Sequence, residues 1–146
     1  MKVIVVGAGI AGLTFALACH AQGMQVKVVD KAKALRGIGG GIFLWPHGFR
    51  YLQALGLHQA IEPVCAPAVC SNFFGSSGNL LLRDSHQEIH ELLHSGIFPL
   101  DRAFLQQSLL AQLPPETITL NKNVIAIENK ADHARVFFAD GTDDTA

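Results

Sequence analysis

The sequence predicts an α/β fold built on a parallel βαβ unit, and three observations carry that prediction. A short all-apolar run, VIVV, ends on glycine. A stretch with helical spacing and many small residues follows and closes on Gly23. A second apolar run, VKVV, then ends on an acid, Asp30.

Residues 2–6 read as a strand buried on both faces, because the run is apolar without alternation. Residues 10–22 read as a helix whose Ala11, Ala16 and Ala18 allow close packing, with Gly23 in the place of a C-cap. Residues 25–30 form the second strand. A strand, helix and strand within about thirty residues imply a right-handed parallel crossover.

Residues 36–44 are glycine-rich and then apolar. Pro46 suits the first turn of a helix running to about Leu55, with Gly56 as its stop. Residues 69–74 and 79–83 flank GSSG as a hairpin. Residues 86–94 read as a short helix or a loop. Asp101 is positioned to cap a helix over 102–113, which Pro114-Pro115 ends. Residues 117–120, 124–129 and 134–139 are strand-like, and the terminal DGTDDTA reads as a polar turn with no element after it. No internal repeat or low-complexity linker interrupts the chain.

At 146 residues the chain is long enough for one domain with a core. Its 49% hydrophobic and 16% charged content excludes disorder. A net charge of −1 with no Lys/Arg cluster argues against a nucleic-acid partner. Cys19, Cys65 and Cys70 are odd in number and fit neither a zinc ribbon nor a redox C-x-x-C. They are expected to be buried thiols in a reducing, cytoplasmic setting. The apolar N-terminus is broken by glycines, so neither a signal peptide nor a membrane span is expected.

Gly7, Gly9 and Gly12 form G-x-G-x-x-G between the first strand and the helix. The first glycine permits the tight turn, the second lets a pyrophosphate approach the backbone, and the third lets helix and sheet pack closely. Phosphates would meet the unpaired N–H groups and the dipole of the helix N-terminus. Asp30 would accept hydrogen bonds from both ribose hydroxyls and repel a 2′-phosphate, which favours FAD or NAD over NADP. This is a Rossmann-like dinucleotide-binding pattern; a glycine turn holding no nucleotide is its purely structural alternative.

Three blocks, IVVGAGIAGLTFALAC, VVDKAKALRGIGGGIFLWPHGFRYLQALGL and LDRAFLQQSLLAQL, resemble consecutive blocks of the FAD-dependent aromatic hydroxylase-type monooxygenases. This is the para-hydroxybenzoate hydroxylase-like family, and the resemblance is to its N-terminal portion. It implies that Gly7, Gly9, Ile10, Ala11 and Gly12 meet the FAD pyrophosphate. It implies that Asp30 holds the adenosine ribose, Lys31 lies at the adenosine edge, and Arg36 lies near the cofactor. The stretch 39–42, with Gly40, Gly41 and Ile42, would lie close to the flavin and ribityl chain. Arg102 with Leu105 matches a cofactor-contacting R-x-x-L helix, and Val124 a backbone position beside the adenine. The family's Pro-Asn is Pro46-His47 here, so His47 takes no role. Phe43, Leu44 and Trp45 are expected to be packing rather than a substrate cage.

The implied activity is hydroxylation of a small organic substrate with NAD(P)H as reductant and O2 as oxygen source. The cofactor carries the redox chemistry, so no side-chain nucleophile is required. The family's G-A-D-G-x-x-S-x-x-R signature and its later Gly-Asp signature are not in this sequence; Asp140-Gly141 is a hairpin turn. The chain is therefore expected to be one FAD-binding fragment over 1–146, with 68–100 a partial substrate-domain insertion. Its sheet should lack an inner strand beside the first. That leaves an incomplete, apolar edge open to self-association. FAD retention and turnover by this chain alone would be weak or absent.

Two other readings compete. One is a non-catalytic nucleotide-binding or assembly module that needs a partner chain. The other rests on HELLH at 90–94, an H-E-x-x-H pattern in which His90 and His94 would ligate zinc and Glu91 act as base. His86 extends the row by another turn and could be a third ligand. Against it, the segment is short and a stable helix there is doubtful.

Overall fold

The structure is a computed structural model that describes residues 1–35, 40–93 and 95–146. In chain order, β1 (Lys2–Val6), α1 (Ile10–Ala21) and β2 (Gln25–Val29) come first. Then follow β3 (Gly41–Leu44), α2 (Pro46–Leu52), α3 (His58–Ile61), β4 (Cys70–Phe74), β5 (Leu80–Ser85) and α4 (Gln87–Leu93). The remainder is β6 (Phe98–Asp101), α5 (Arg102–Ala111), β7 (Ile118–Thr119), β8 (Val124–Asn129), β9 (Ala134–Phe138) and β10 (Asp143–Thr145). These elements form two compact units, Met1–Ile38 with Ala103–Ala146, and Gly39–Arg102.

The first unit contains the expected βαβ crossover. β1 and β2 pair in parallel, Val5 opposite Val28, and β7 joins β2 in parallel to give the order β1-β2-β7. α1 buries Leu13, Ala16, Leu17 and Cys19, and Val5, Val28 and Val29 are buried in the sheet. α1 ends where its sequence predicts, since Gly23 takes φ +72. β1 stands at the end of this sheet, with Val6 half exposed. Among the described residues no strand pairs with its outer side, as the missing inner strand implied.

β8, β9 and β10 form an antiparallel meander in the order β10-β9-β8. Val136 and Phe138 of β9 pack with Val29, joined by Ile4 and Val124. The strand β10 corrects the expectation that DGTDDTA holds no element. Its inward residue is charged rather than apolar, so hydrophobic alternation gives no sign of it. Asp144 pairs with Lys2 of β1 and, at 2.6 Å, with Lys27 of β2. Burial pushes the Asp144 carboxyl up, and the hydrogen bonds from Lys2 and Lys27 outweigh that and take it down to about 2.

In the second unit, β3 pairs antiparallel with β6, Ile42 opposite Leu100. The rings of Phe49 and Phe98 stack with centroids 4.1 Å apart. Gly56 interrupts the helix as expected, at φ +88 inside a wide turn, but the chain resumes as α3 rather than stopping. β4 and β5 form the hairpin around GSSG. Of the two readings of 86–94, the short helix is the one that forms, over Gln87–Leu93, against the doubt about its stability. No helix is long and apolar enough to cross a membrane among the described residues.

Candidate functional site

The glycine turn is shaped by contacts that leave little choice of residue. Gly7 adopts φ +104, a left-handed conformation that side chains disfavour. A Cβ on Gly12 would lie 2.0 Å from the Gly7 carbonyl oxygen, so α1 reaches the turn only because residue 12 is glycine. At Gly9 the opposite holds: an added Cβ would meet nothing within 4 Å. The protein's own packing therefore gives no steric reason for glycine there, and the open space suits the approach of a ligand to the backbone. The first N–H groups of α1, at Ile10, Ala11 and Gly12, have no carbonyl one turn earlier to bond. Leu13 makes the first such bond, to Gly9 O at 2.9 Å.

Asp30 ties that turn to the end of β2. Its Oδ2 accepts the Ala8 N–H at 2.7 Å and its Oδ1 the Ala32 N–H at 2.8 Å. Gly7 N–H donates to Val29 O at 2.7 Å beside it. Each carboxylate oxygen retains a further lone pair for a hydroxyl donor. Asp30 is thus both brace and available acceptor.

A cavity of about 340 Å³ opens over these groups. Gly7, Asp30, Lys31 and Val124 line it, so four residues singled out from sequence converge on one concavity. Val6, Val29, Lys122 and Asn123 complete it. The volume falls within the range of small-molecule sites, about 300–1,000 Å³. Lys122 is placed by its N–H, which donates to Asp30 O at 2.9 Å. Its ammonium donates to Asp140 and to Thr142 Oγ1.

Sequence reasoning missed Lys122, Asn123 and a further brace, Gln106, whose Nε2 donates to Ala8 O at 2.7 Å across 98 positions. No periodicity or spacing signals a contact of that kind. In the second unit, Gly40, Gly41, Ile42 and Arg102 come together. Gly40 O accepts the Arg102 N–H at 3.0 Å, and Gly41 stands opposite Asp101 in the β3–β6 ladder. Arg36 and Gly39 lie outside the described residues.

Two expectations are corrected here. Phe43 and Trp45 are not packing residues: they are 59% and 47% exposed and line a second cavity of about 210 Å³ with Ser71, Asp84, His86 and Ile97. Leu44, between them, is the one that is buried. Of the cysteines only Cys19 is buried, although all three are free thiols. His86 does not join a zinc row either. It is buried, with Nδ1 on Ala68 O at 3.1 Å and Nε2 on Ser71 Oγ at 3.0 Å. A carbonyl can only accept, so Nδ1–H donates to it, and Nε2 is engaged with the Ser71 hydroxyl. Neither nitrogen is left for a metal. His90 is exposed, Glu91 accepts from Gln87 Nε2, and His94 lies outside the described residues. No group of three metal-ligating side chains occurs among the described residues.

Residues 2–46 match the family model described as FAD binding domain. A 3-amino-4-hydroxybenzoate 2-monooxygenase of Streptomyces cremeus is 31% identical over 144 residues, 97% of this chain and 36% of that protein. A FAD-dependent urate hydroxylase of Klebsiella pneumoniae is 31% identical over 143 residues, 97% of this chain and 37% of that protein. Klebsiella pneumoniae HpxO, crystallised with FAD and uric acid, superposes with a TM-score of 0.82 at 28% identity, over 100% of this chain and 37% of that one. The chain therefore spans little more than a third of the length of these relatives.

Proposed function

From the premise that this chain corresponds to the FAD-binding part of flavin-dependent monooxygenases, we propose that its first unit holds the adenosine diphosphate half of FAD. The observation that carries this reading is the Asp30 carboxylate bonded to Ala8 N–H inside the glycine turn, with a cavity lined by Asp30 and Gly7. Gly7, Gly9, Ile10, Ala11 and Gly12 would receive the pyrophosphate, Asp30 the ribose hydroxyls, and Lys31 and Val124 the adenine side. Arg36, Gly40, Gly41, Ile42 and Arg102 would serve the flavin and its ribityl chain.

When bound, FAD supplies the redox chemistry; these residues bind it and orient it. The larger enzyme to which such a part belongs would use NAD(P)H and O2 to hydroxylate a small ring compound in the cytoplasm. Residues 68–100 are read as the first piece of its substrate domain. The open side of β1 would take a further strand, or a second copy of the chain, and sedimentation of the purified chain tests the latter.

The test of the main reading is a visible spectrum and a binding titration of the 146-residue chain with FAD. Binding that is lost in Gly9→Trp and weakened in Asp30→Ala is the expected result. A wild-type chain whose thermal unfolding is unmoved by FAD would overturn the proposal.

A further inference from the structure

Lys122 stands in the wall of the Asp30 cavity, yet its charge is spent elsewhere. Its Nζ donates to Asp140 Oδ2 and, at 2.8 Å, to Thr142 Oγ1, both on the turn between β9 and β10. Asp140 is itself held in position, with Oδ1 accepting the Thr142 N–H at 3.1 Å and the Thr142 hydroxyl at 2.6 Å. Gly141, at φ +81, allows the turn that brings these groups together. The hydrogen bonds from Lys122 and then Thr142 hold the Asp140 carboxyl well below the usual carboxylate range, so this carboxylate keeps its charge at neutral pH. Meanwhile the Lys122 N–H is bonded to Asp30 O at 2.9 Å, which fixes this residue beside the acid that would take the ribose.

A cation beside the ribose acid is what a nucleotide site needs to accept a 2′-phosphate. Here Lys122, bonded through its N–H to Asp30 O in the cavity wall, carries a cation that is paired with Asp140. We propose that Asp140 determines the nucleotide specificity of this pocket: by neutralising Lys122 it keeps the pocket selective for an adenosine with a free 2′-hydroxyl and against one with a 2′-phosphate. The proposal rests on the reading of the cavity as an adenosine site. Asp30 supplies the acceptor and the repulsion, and Asp140 withholds one of the two lysine charges in the cavity wall that would offset the repulsion. Lys31 also lines the cavity and stays unchanged throughout the test.

The test is calorimetric titration of the full chain with AMP and with adenosine 2′,5′-bisphosphate at low salt. The wild-type chain is expected to prefer AMP. Asp140→Asn, which keeps the side-chain shape and removes the charge, should shift the ratio of the two affinities toward the bisphosphate by roughly three- to fivefold, the upper end of the scale of one solvent-screened charge contact. The double variant Lys122→Met with Asp140→Asn should return the ratio to the wild-type value, and raised salt should shrink the shift. A loosened turn alone would weaken both ligands together and leave the ratio alone. If the wild-type chain binds AMP and the ratio stays within about twofold in Asp140→Asn, this proposal is overturned by itself. If the wild-type chain binds neither nucleotide, the pocket assignment falls and takes the proposal with it.

Discussion

Replacing Gly12 by alanine isolates what the third glycine does. The new Cβ would sit 2.0 Å from Gly7 O, 3.1 Å from Gly7 C and 3.4 Å from a Val5 methyl. A relaxed C···O contact needs about 3.3 Å. The turn or the helix must therefore move by about 1.3 Å. The nearest atom is backbone, so no flexible side chain can absorb the shift. Overpacking of this kind costs roughly 1–3 kcal/mol. The Gly7–Val29 and Ala8–Asp30 hydrogen bonds, both 2.7 Å, would be strained with it, at about 1 kcal/mol each if lost. The expected destabilisation is about 3–5 kcal/mol, a large part of the ~5–15 kcal/mol typical of a folded protein. Urea unfolding should be followed by far-ultraviolet circular dichroism, because the single tryptophan, Trp45, belongs to the other unit. Gly9→Ala is the control. It adds a methyl to open space at φ −76 and should cost no more than about 1 kcal/mol, while still blocking nucleotide binding. A Gly12→Ala protein within about 0.5 kcal/mol of wild type would refute the reasoning.

Asp30→Ala should leave two N–H groups without their acceptor, lowering stability by about 1–2 kcal/mol and nucleotide affinity by at least about tenfold; equal nucleotide affinity in the two proteins would count against the site. The Asp144 carboxyl titrates at about 2 when folded and near its ordinary 3.8 when unfolded, so its contribution is present above about 4 and is lost as the pH falls toward 2. Lys2 and Lys27 are each about a third exposed, so that contribution is on the order of 1–2 kcal/mol. Asp144→Asn should flatten the acid side of the stability–pH curve, and an unchanged slope would discount the ion pairs. His86→Ala should destabilise the chain by about 2 kcal/mol through its orphaned partners Ser71 and Ala68 O, whereas His90→Ala should be near neutral. Metal analysis of the dialysed protein is expected to find no stoichiometric zinc, and one zinc per chain would reopen the reading of HELLH.

The parts legible from sequence are those whose signal is local. The crossover from β1 to β2 is written in two apolar runs and the glycines between them, and the hairpin in GSSG between two strand-like runs. Strand β6 has no local signal because Pro99 argues against a strand, yet in a two-stranded pair one edge of each strand needs no donor. Strand β10 was missed because an inward aspartate breaks the alternation on which strand reading depends. The site divides the same way. Gly7, Gly12 and Asp30 are recognisable because turn, helix and acid follow one another within a single crossover. Lys122 and Gln106 reach the same place from far along the chain, through a salt bridge to a turn and a bond to a carbonyl. Their chemistry is ordinary and their spacing unconstrained, so only the folded geometry reveals them.

The hydrogen bond from Arg102 N–H to Gly40 O bears on how the protein reaches its native state. The first unit is assembled from two stretches of chain separated by the whole of the second. Were the intervening sixty or so residues unfolded, bringing β2 and β7 together would mean closing a long, floppy loop. Once the second unit has folded, its two ends stand a single hydrogen bond of 3.0 Å apart, and the effective loop between β2 and β7 shrinks to roughly a third of its length. With a closure cost that grows as three-halves RT times the logarithm of loop length, that is a saving of about 1 kcal/mol. The order of events then favours the insertion first and the nucleotide-binding sheet after it, and a variant that unravels residues 40–102 should slow the refolding of the sheet although it touches none of its strands.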